Sequence, residues 1–304
     1  MKYVYPKFSA HEGIGFRLGG PGLGNLLFIW SRAYVFALQN GMKMLWPTWP
    51  SLKLGPWLRN ERDKRTYIHL FENNGIDLAG WSKYRRLMFG KKRRYDPDMP
   101  IQSLPEETVV LYDRYAMDFN GLKEYRREIV DYIQSHLGQK GRQALAFDGA
   151  NAVNLHVRLG DFAVDTSGSV NGKNNCRIPI SWFCHVVNAV KQVCPGMVFH
   201  VFSDGSDEEL RDLLAMDNVE RVFFGNSVAD IMALSKAPLI IASGSSFSMW
   251  ARFIGNCNSI SFPSQKKDDT ADADRFEIEL EQGAPLPDDV VQKIRAIYNG
   301  SFAG

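Results

Sequence analysis

Three short segments of this chain put charge and hydrogen-bond donors where an anion could be held. Residues 156–162 read HVRLGDF and continue the apolar run AVNLHV. A strand that breaks its apolar run with Arg158 and Asp161 delivers a guanidinium and a carboxylate to the carboxyl edge of a sheet, where open α/β folds bind ligands. A phosphate-bearing ligand is the natural reading. Residues 244–248, GSSFS, follow the apolar PLIIAS and bring hydroxyls and N–H groups to a helix start, which is an anion site. Residues 19–25, GGPGLGN, join a strand to an apolar helix, and a glycine-rich loop there lets backbone N–H groups approach an anion. With Asn25 in the third glycine position and no acid ending the second strand, this is not the dinucleotide fingerprint.

Each segment has a plainer reading. Arg158 could pair with Asp161 as an ordinary strand-end ion pair, the serines could cap a helix and nothing more, and the glycines could serve backbone geometry alone. Convergence favours function. The run MVFHVFSD ends in Ser203 and Asp204, beside the serines that follow PLIIAS, and parallel strands present all their carboxyl ends to one crevice. A guanidinium together with a helix N-terminus suits a diphosphate held without metal. No DxD-like pair sits on a strand end and the histidines lack ligand spacing, so neither metal nor cofactor is expected.

The elements that must position these segments follow from periodicity. Residues 14–46 read as a βαβ unit, with IGFRL and MKMLWP as strands and LLFIWSRAYVFAL as a helix apolar nearly all round, which belongs against a sheet. Between residues 47 and 104 the pattern dissolves into Pro, Trp and basic residues. A strand in TVVLYDRYAM and a polar helix over residues 122–136 follow, and then GQKGRQALAFDGAN as the domain boundary. Strands AVNLHV, MVFHVF, ERVFF, PLIIAS and NSISF then alternate with helices beginning near Ile180, Asp207, Val228 and Ser246. Capping boxes pair Ser206 with Glu209 and Ser227 with Asp230. The fold class is therefore α/β, a doubly wound parallel sheet following a first Rossmann-like domain. Domains are expected at residues 1–146 and 147–264, with an acidic tail over 265–304 whose final helix would pack back on the first domain.

Charge and composition bound the partners. The 304 residues carry 36 Lys plus Arg and 34 Asp plus Glu, a net charge of +2, which gives no global reason to expect nucleic acid. Four cysteines without Cys-x-x-Cys spacing read as thiols in a reducing compartment. The N-terminal residues lack a secretion signal and the longest apolar stretch, residues 26–38, is too short to span a bilayer, so a cytoplasmic protein is expected. Residues 52–94 hold 12 bases and four acids. The run from Lys83 to Arg94 interleaves bases with Leu87, Met88 and Phe89, which suits either a solvated basic face or peripheral contact with an anionic membrane at the inner face of the cell.

Together HVRLGDF, GGPGLGN and SGSSFSMWARF resemble the motifs of the GT-B fucosyltransferases, most closely the α-1,2-fucosyltransferase group. The resemblance runs from Phe16 to about Pro263 and is weak between Pro47 and Leu104. It implies two Rossmann-like domains facing a cleft, the second holding GDP-fucose as donor substrate and the first the acceptor. Arg158 is then expected on the β-phosphate, His156 and Asp204 near guanine, and Ser246, Phe247 and Ser248 around the phosphates, with Ser203 and Ser245 beside them. Gly22, Gly24 and Asn25 would reach the donor from the first domain. One departure stands out: the family's second motif arginine is Leu159 here.

The resemblance implies an inverting, metal-independent transferase that moves fucose from GDP-fucose to a glycan hydroxyl, in α-1,2 linkage, during surface polysaccharide or O-antigen synthesis on a free or lipid-linked acceptor. Arg158 is the expected stabiliser of the leaving diphosphate. Asp161 is the motif carboxylate, taking the hydroxyl proton or orienting Arg158, with Asp165, Glu12 and His11 as lesser candidates for the base. A GT-B enzyme with another nucleotide sugar and a non-catalytic nucleotide- or glycan-binding protein are the competing readings.

Overall fold

The computed structural model describes residues 1–52, 65–160, 162–163 and 175–298, and the chain divides into two compact units, Met1–Arg142 and Gln143–Gly304. The division falls four residues before the expected boundary at residue 146.

In the first unit, β1 (Tyr3–Pro6), β4 (Lys43–Met44), β6 (Lys92–Arg94) and β7 (Val109–Tyr112) form a parallel sheet in the order β4-β1-β7-β6. The strand entering helix α1 (Leu23–Gln39) was expected at IGFRL; it is instead YVYP, four buried residues at the very start of the chain. Arg17–Leu18 is β3 of a separate small sheet with β2 (His11–Glu12) and β5 (Ser51–Leu52). IGFRL has strand composition but three exposed apolar residues, Ile14, Phe16 and Leu18, whereas YVYP is buried throughout, as a strand packed on both faces must be.

Helix α1 is longer than its apolar run and buried on most sides. Its Trp30 explains the unreadable stretch downstream. Trp49 and Phe71 pack on that ring with centroids 5.0 and 4.9 Å away, Trp46 meets it at 6.1 Å, and Tyr132 of helix α3 (Arg126–Ser135), at 4.9 Å, accepts the Trp30 indole N–H at its hydroxyl. Aromatic residues scattered without period form the second layer over α1, because large rings cover a helix from irregular backbone. Helix α2 (Gly80–Phe89) lies within that stretch, and the division at Arg142 falls inside a short α4 (Gln139–Ala144).

The second unit has the expected architecture. Strands β8 (Ala152–Val157), β9 (Val198–Ser203), β10 (Val219–Arg221), β11 (Leu239–Ala242), β12 (Asn258–Ser261) and β13 (Glu277–Glu279) run parallel in the order β10-β9-β8-β11-β12-β13. Helices α5 (Ile180–Val193), α6 (Arg211–Leu214), α7 (Ser227–Leu234), α8 (Ser246–Gly255) and α9 (Asp288–Tyr298) connect and cover them. Alternate residues of β8 point to opposite faces: Val153, Leu155 and Val157 join the core under α5 and α9, while Asn154 donates to the Ala233 and Leu234 carbonyls of α7.

One expectation about helix ends changes. Asn226, not Ser227, caps α7 by accepting the Ala229 amide at 2.8 Å, and Asp230 instead accepts the Phe224 amide. The Ser206–Glu209 box forms as expected, although regular helix begins only at Arg211. The final helix packs within the core of the second unit: Val290, Ile294 and Tyr298 are buried there, and Tyr298 donates to the Ala152 carbonyl at 2.9 Å.

Candidate active site

The strand order of the second unit reverses at β8, with β9 on one side and β11 on the other. At such a switch point the loops leave in opposite directions and open a crevice at the carboxyl edge. HVRLGDF and ASGSSFS leave from the two strands that flank this point, and hydrogen bonds tie them together. The Ser243 amide donates to the His156 carbonyl and the Arg158 amide donates to Ser243 Oγ, both at 3.0 Å.

Arg158 lies at the centre of the edge. Its Nη1 is 2.6 Å from Asp204 Oδ2, while Asp204 Oδ1 accepts the amides of Leu159 and Gly160 at 2.9 and 3.1 Å. A Cβ on Gly160 would stand 2.2 Å from Asp204 Oδ2, so this close approach requires glycine. Asp161, the partner suggested by proximity in sequence, and Asp165 lie outside the described residues. Ser203 Oγ accepts the Gly205 amide at 3.0 Å and so shapes the turn after β9.

Beside Arg158, the His156 ring stacks on Phe247 with centroids 4.8 Å apart and planes at 14°. Its Nδ1 lies 3.4 Å from Ser245 Oγ. Burial, reinforced by the Arg158 guanidinium and opposed by Asp204, holds this imidazole down at about 3, so it is neutral near pH 7. Ser245 caps α8 by accepting the Ser248 amide at 3.4 Å. The three serines divide their work. Ser245 and Ser246 are half-buried at the helix start, as is Phe247, whereas Ser248 is fully buried and its hydroxyl donates to the Ser243 and Ser245 carbonyls. Ser248, expected beside the phosphates, thus fixes the loop with its hydroxyl.

Sequence reasoning missed two arginines on this edge. Arg177 donates from Nε to the Phe162 carbonyl at 3.0 Å, from Nη2 to the Gly160 carbonyl at 3.4 Å, and from Nη1 to Glu209 at 2.7 Å. Glu209 is held below the usual carboxylate range by its hydrogen bond from the Ser206 amide and by Arg177. Arg221, at the end of β10, donates to the Ser203 and Gly205 carbonyls and pairs with Asp207. Neither arginine sits in a motif, so only the topology reveals them. Leu159 has a structural explanation: it is 4% exposed, belongs to the apolar core, and its Cδ1 would be 2.4 Å from a Cβ on Gly205. The backbone turns this side chain inward, where an arginine would be desolvated.

The first unit places Gly22 as the N-cap of α1 without a side-chain hydrogen bond, followed by Gly24 and Asn25 in the first turn. Among the described residues the buried Asn25 Oδ1 meets no hydrogen-bond partner. Gly20, at φ +91°, has room only for hydrogen because Arg17 Nη1 and the Phe8 carbonyl crowd it. Nearby, Lys83 Nζ donates to Thr48 Oγ1 at 3.1 Å, Thr48 meets the Tyr5 hydroxyl at 2.9 Å, and Tyr5 donates to Glu12. Glu12 also accepts the Phe8 and Ser9 amides at 2.6 and 2.9 Å. His11 is exposed. Lys83 is 3% exposed, and burial lowers its ammonium to about 8. This corrects its expected place on a basic surface: the first base of that run faces inward.

The profile of glycosyl transferase family 11 matches residues 110–281, more than half of the chain. The chain belongs to this family. It is the α-1,2-fucosyltransferase family that the three motifs resemble. No curated protein sequence matches it. Solved structures with the same fold include NodZ α-1,6-fucosyltransferase soaked with GDP-fucose, at 14% identity and TM-score 0.55, over 86% of this chain and 94% of that one. POFUT1 in complex with GDP matches at 11% identity and TM-score 0.54, over 93% and 98%. Fucosyltransferase NodZ from Bradyrhizobium matches at 12% identity and TM-score 0.51, over 83% and 93%. The fold is GT-B-like, and the family member is a glycosyltransferase. Among the described residues no helix is long and apolar enough to cross a membrane, and no three His, Cys, Asp or Glu side chains cluster as a metal site.

Proposed function

We propose that this family 11 member transfers fucose from GDP-fucose to a glycan hydroxyl, with α-1,2 linkage and inversion at C1, during surface polysaccharide or O-antigen assembly. The observation that carries the proposal is Arg158, held by Asp204 at the switch point and flanked by the α8 N-terminus. In this reading the hydroxyl oxygen bonds to C1 as the bond from C1 to the β-phosphate oxygen breaks. The electron pair leaves with GDP, and the hydroxyl proton passes to a carboxylate, to which we assign Asp161 on sequence alone.

Negative charge grows on the diphosphate as that bond lengthens, so pre-organised donors there lower the barrier most. Arg158 is assigned to the β-phosphate, and Arg177 supplies the second cation that Leu159 cannot. The stacked, neutral His156 on Phe247 provides a flat surface suited to the guanine or the sugar, with Ser245 and Ser246 toward the phosphates. Gly22, Gly24 and Asn25 are assigned to the donor's phosphates from the first unit. The reaction so described needs no metal.

Leu159 supports a second reading within the same fold, another nucleotide sugar. Thermal shifts with GDP, UDP and CDP separate the two, because a ligand at about 100 times its Kd stabilises by about 2.7 kcal/mol. Protection by GDP with mass-spectrometric turnover of GDP-fucose supports the proposal. Protection by UDP or CDP alone overturns the donor, and tight GDP binding with neither transfer nor hydrolysis assigns a binding protein.

A further inference from the structure

The basic run of the first unit is two surfaces. On the inner face of α2, Lys83 is buried, Leu87 packs against the core of Tyr3, Tyr5, Leu45 and Val109, and Arg86 donates to the Tyr3 hydroxyl at 2.8 Å. The outer face carries Trp81, Arg85, Met88 and Phe89, spaced i, i+4, i+7 and i+8, so they form one stripe. Trp81, Met88 and Phe89 are 70, 53 and 75% exposed. The edge strand β6 follows directly, with Lys91 exposed just before it and Arg93 exposed at its centre. Among the described residues the side chains of Arg85, Lys91 and Arg93 make no hydrogen bond or ion pair. No acid occurs from residue 78 to residue 95.

Bases on β6 alone would be explained as protection of a sheet edge against pairing with another strand. That does not account for a tryptophan, a methionine and a phenylalanine left in water on the adjoining helix. Large apolar side chains beside bases, with the neighbouring acids Asp113 and Glu107 already paired to Arg94 and Arg86, match the chemistry of a bilayer surface: rings enter the headgroup–acyl boundary while guanidinium and ammonium groups meet lipid phosphates. A second copy of the chain fits poorly, since a two-fold contact through this face would set the basic run against itself.

We propose that the outer face of α2 with β6 docks this protein on an anionic membrane, Trp81, Met88 and Phe89 inserting and Arg85, Lys91 and Arg93 contacting lipid phosphates. None of these side chains is assigned to the donor, so the inference stands whether or not GDP-fucose is the donor.

The test is co-sedimentation of the full chain with phosphatidylcholine vesicles, with and without phosphatidylglycerol. Wild type is expected to sediment with the mixed vesicles, to stay in solution with phosphatidylcholine alone, and to be released by salt. Lys91→Gln with Arg93→Gln should lower partitioning about fivefold for each base neutralised, and Trp81→Ser with Phe89→Ser roughly tenfold for each ring removed. Unfolding midpoints should match wild type, since these side chains are exposed. Wild type left in the supernatant, or both double variants sedimenting like it, overturns the proposal. So does lipid-independent self-association, or RNA binding without vesicle binding, that the Trp81/Phe89 variant abolishes.

Discussion

Asp204 holds Arg158 and the backbone around it with separate oxygens: Oδ2 lies 2.6 Å from the guanidinium, and Oδ1 accepts the amides of Leu159 and Gly160. The carboxylate therefore aims the arginine and fixes the loop that carries it. An arriving diphosphate competes with Asp204 for the guanidinium, and its extra charge favours the exchange.

Arg158→Ala should lower turnover about 10²–10³-fold, the usual effect of losing one pre-organised donor to a developing charge. Circular dichroism should show an unchanged fold, since Arg158 is only partly buried. Gly160→Ala should also lose activity, because the added Cβ displaces Asp204. Wild-type turnover in folded Arg158→Ala would remove Arg158 from the mechanism.

Leu159→Arg should not restore the family motif. The side chain points into the core, and an unpartnered buried charge costs about 3–5 kcal/mol. Chemical denaturation should show that loss, with no gain in donor affinity. A stable variant with tighter GDP binding would mean the loop can turn this residue outward.

Arg177→Ala should weaken GDP binding about ten- to hundredfold, the range for losing a charge-assisted hydrogen bond, as read by titration calorimetry. Glu209→Gln removes the countercharge but leaves the guanidinium bonded to the Gly160 and Phe162 carbonyls, so affinity should hold or rise. Equal binding by Arg177→Ala and wild type would leave the role of the second motif arginine unfilled.

His156 should stay neutral well below its ordinary titration range. Its folded value is depressed from 6.5 to about 3 by burial and by Arg158. Its contribution to stability is therefore complete above about pH 6.5 and is lost progressively as pH falls toward 3. Nitrogen-detected NMR of the imidazole should show no protonation at pH 5.5. Stability of wild type relative to His156→Phe should fall between pH 6.5 and pH 4. A normal titration near 6.5 would show that the ring is solvated.

Much of the second unit was legible because its signals are local. Continuous apolar strands alternating with amphipathic helices admit few topologies, and the strands at AVNLHV, MVFHVF, PLIIAS and NSISF lie where their composition places them. The first unit resisted because its second layer is aromatic and aperiodic, built ring by ring around Trp30. The IGFRL misreading has a similar cause: alternation marks a strand but not the sheet it joins.

By itself the sequence determined that a parallel sheet carries Arg158 and a serine-rich helix start to one edge, since side-chain periodicity and strand polarity are properties of the local chain. Only the tertiary structure decided which groups meet there. Asp204 reaches Arg158 from the next strand in the sheet, Arg177 arrives from a segment with no motif, Leu159 turns inward and Lys83 is buried. Such pairings depend on where distant segments cross in three dimensions, and spacing along the chain does not carry that information.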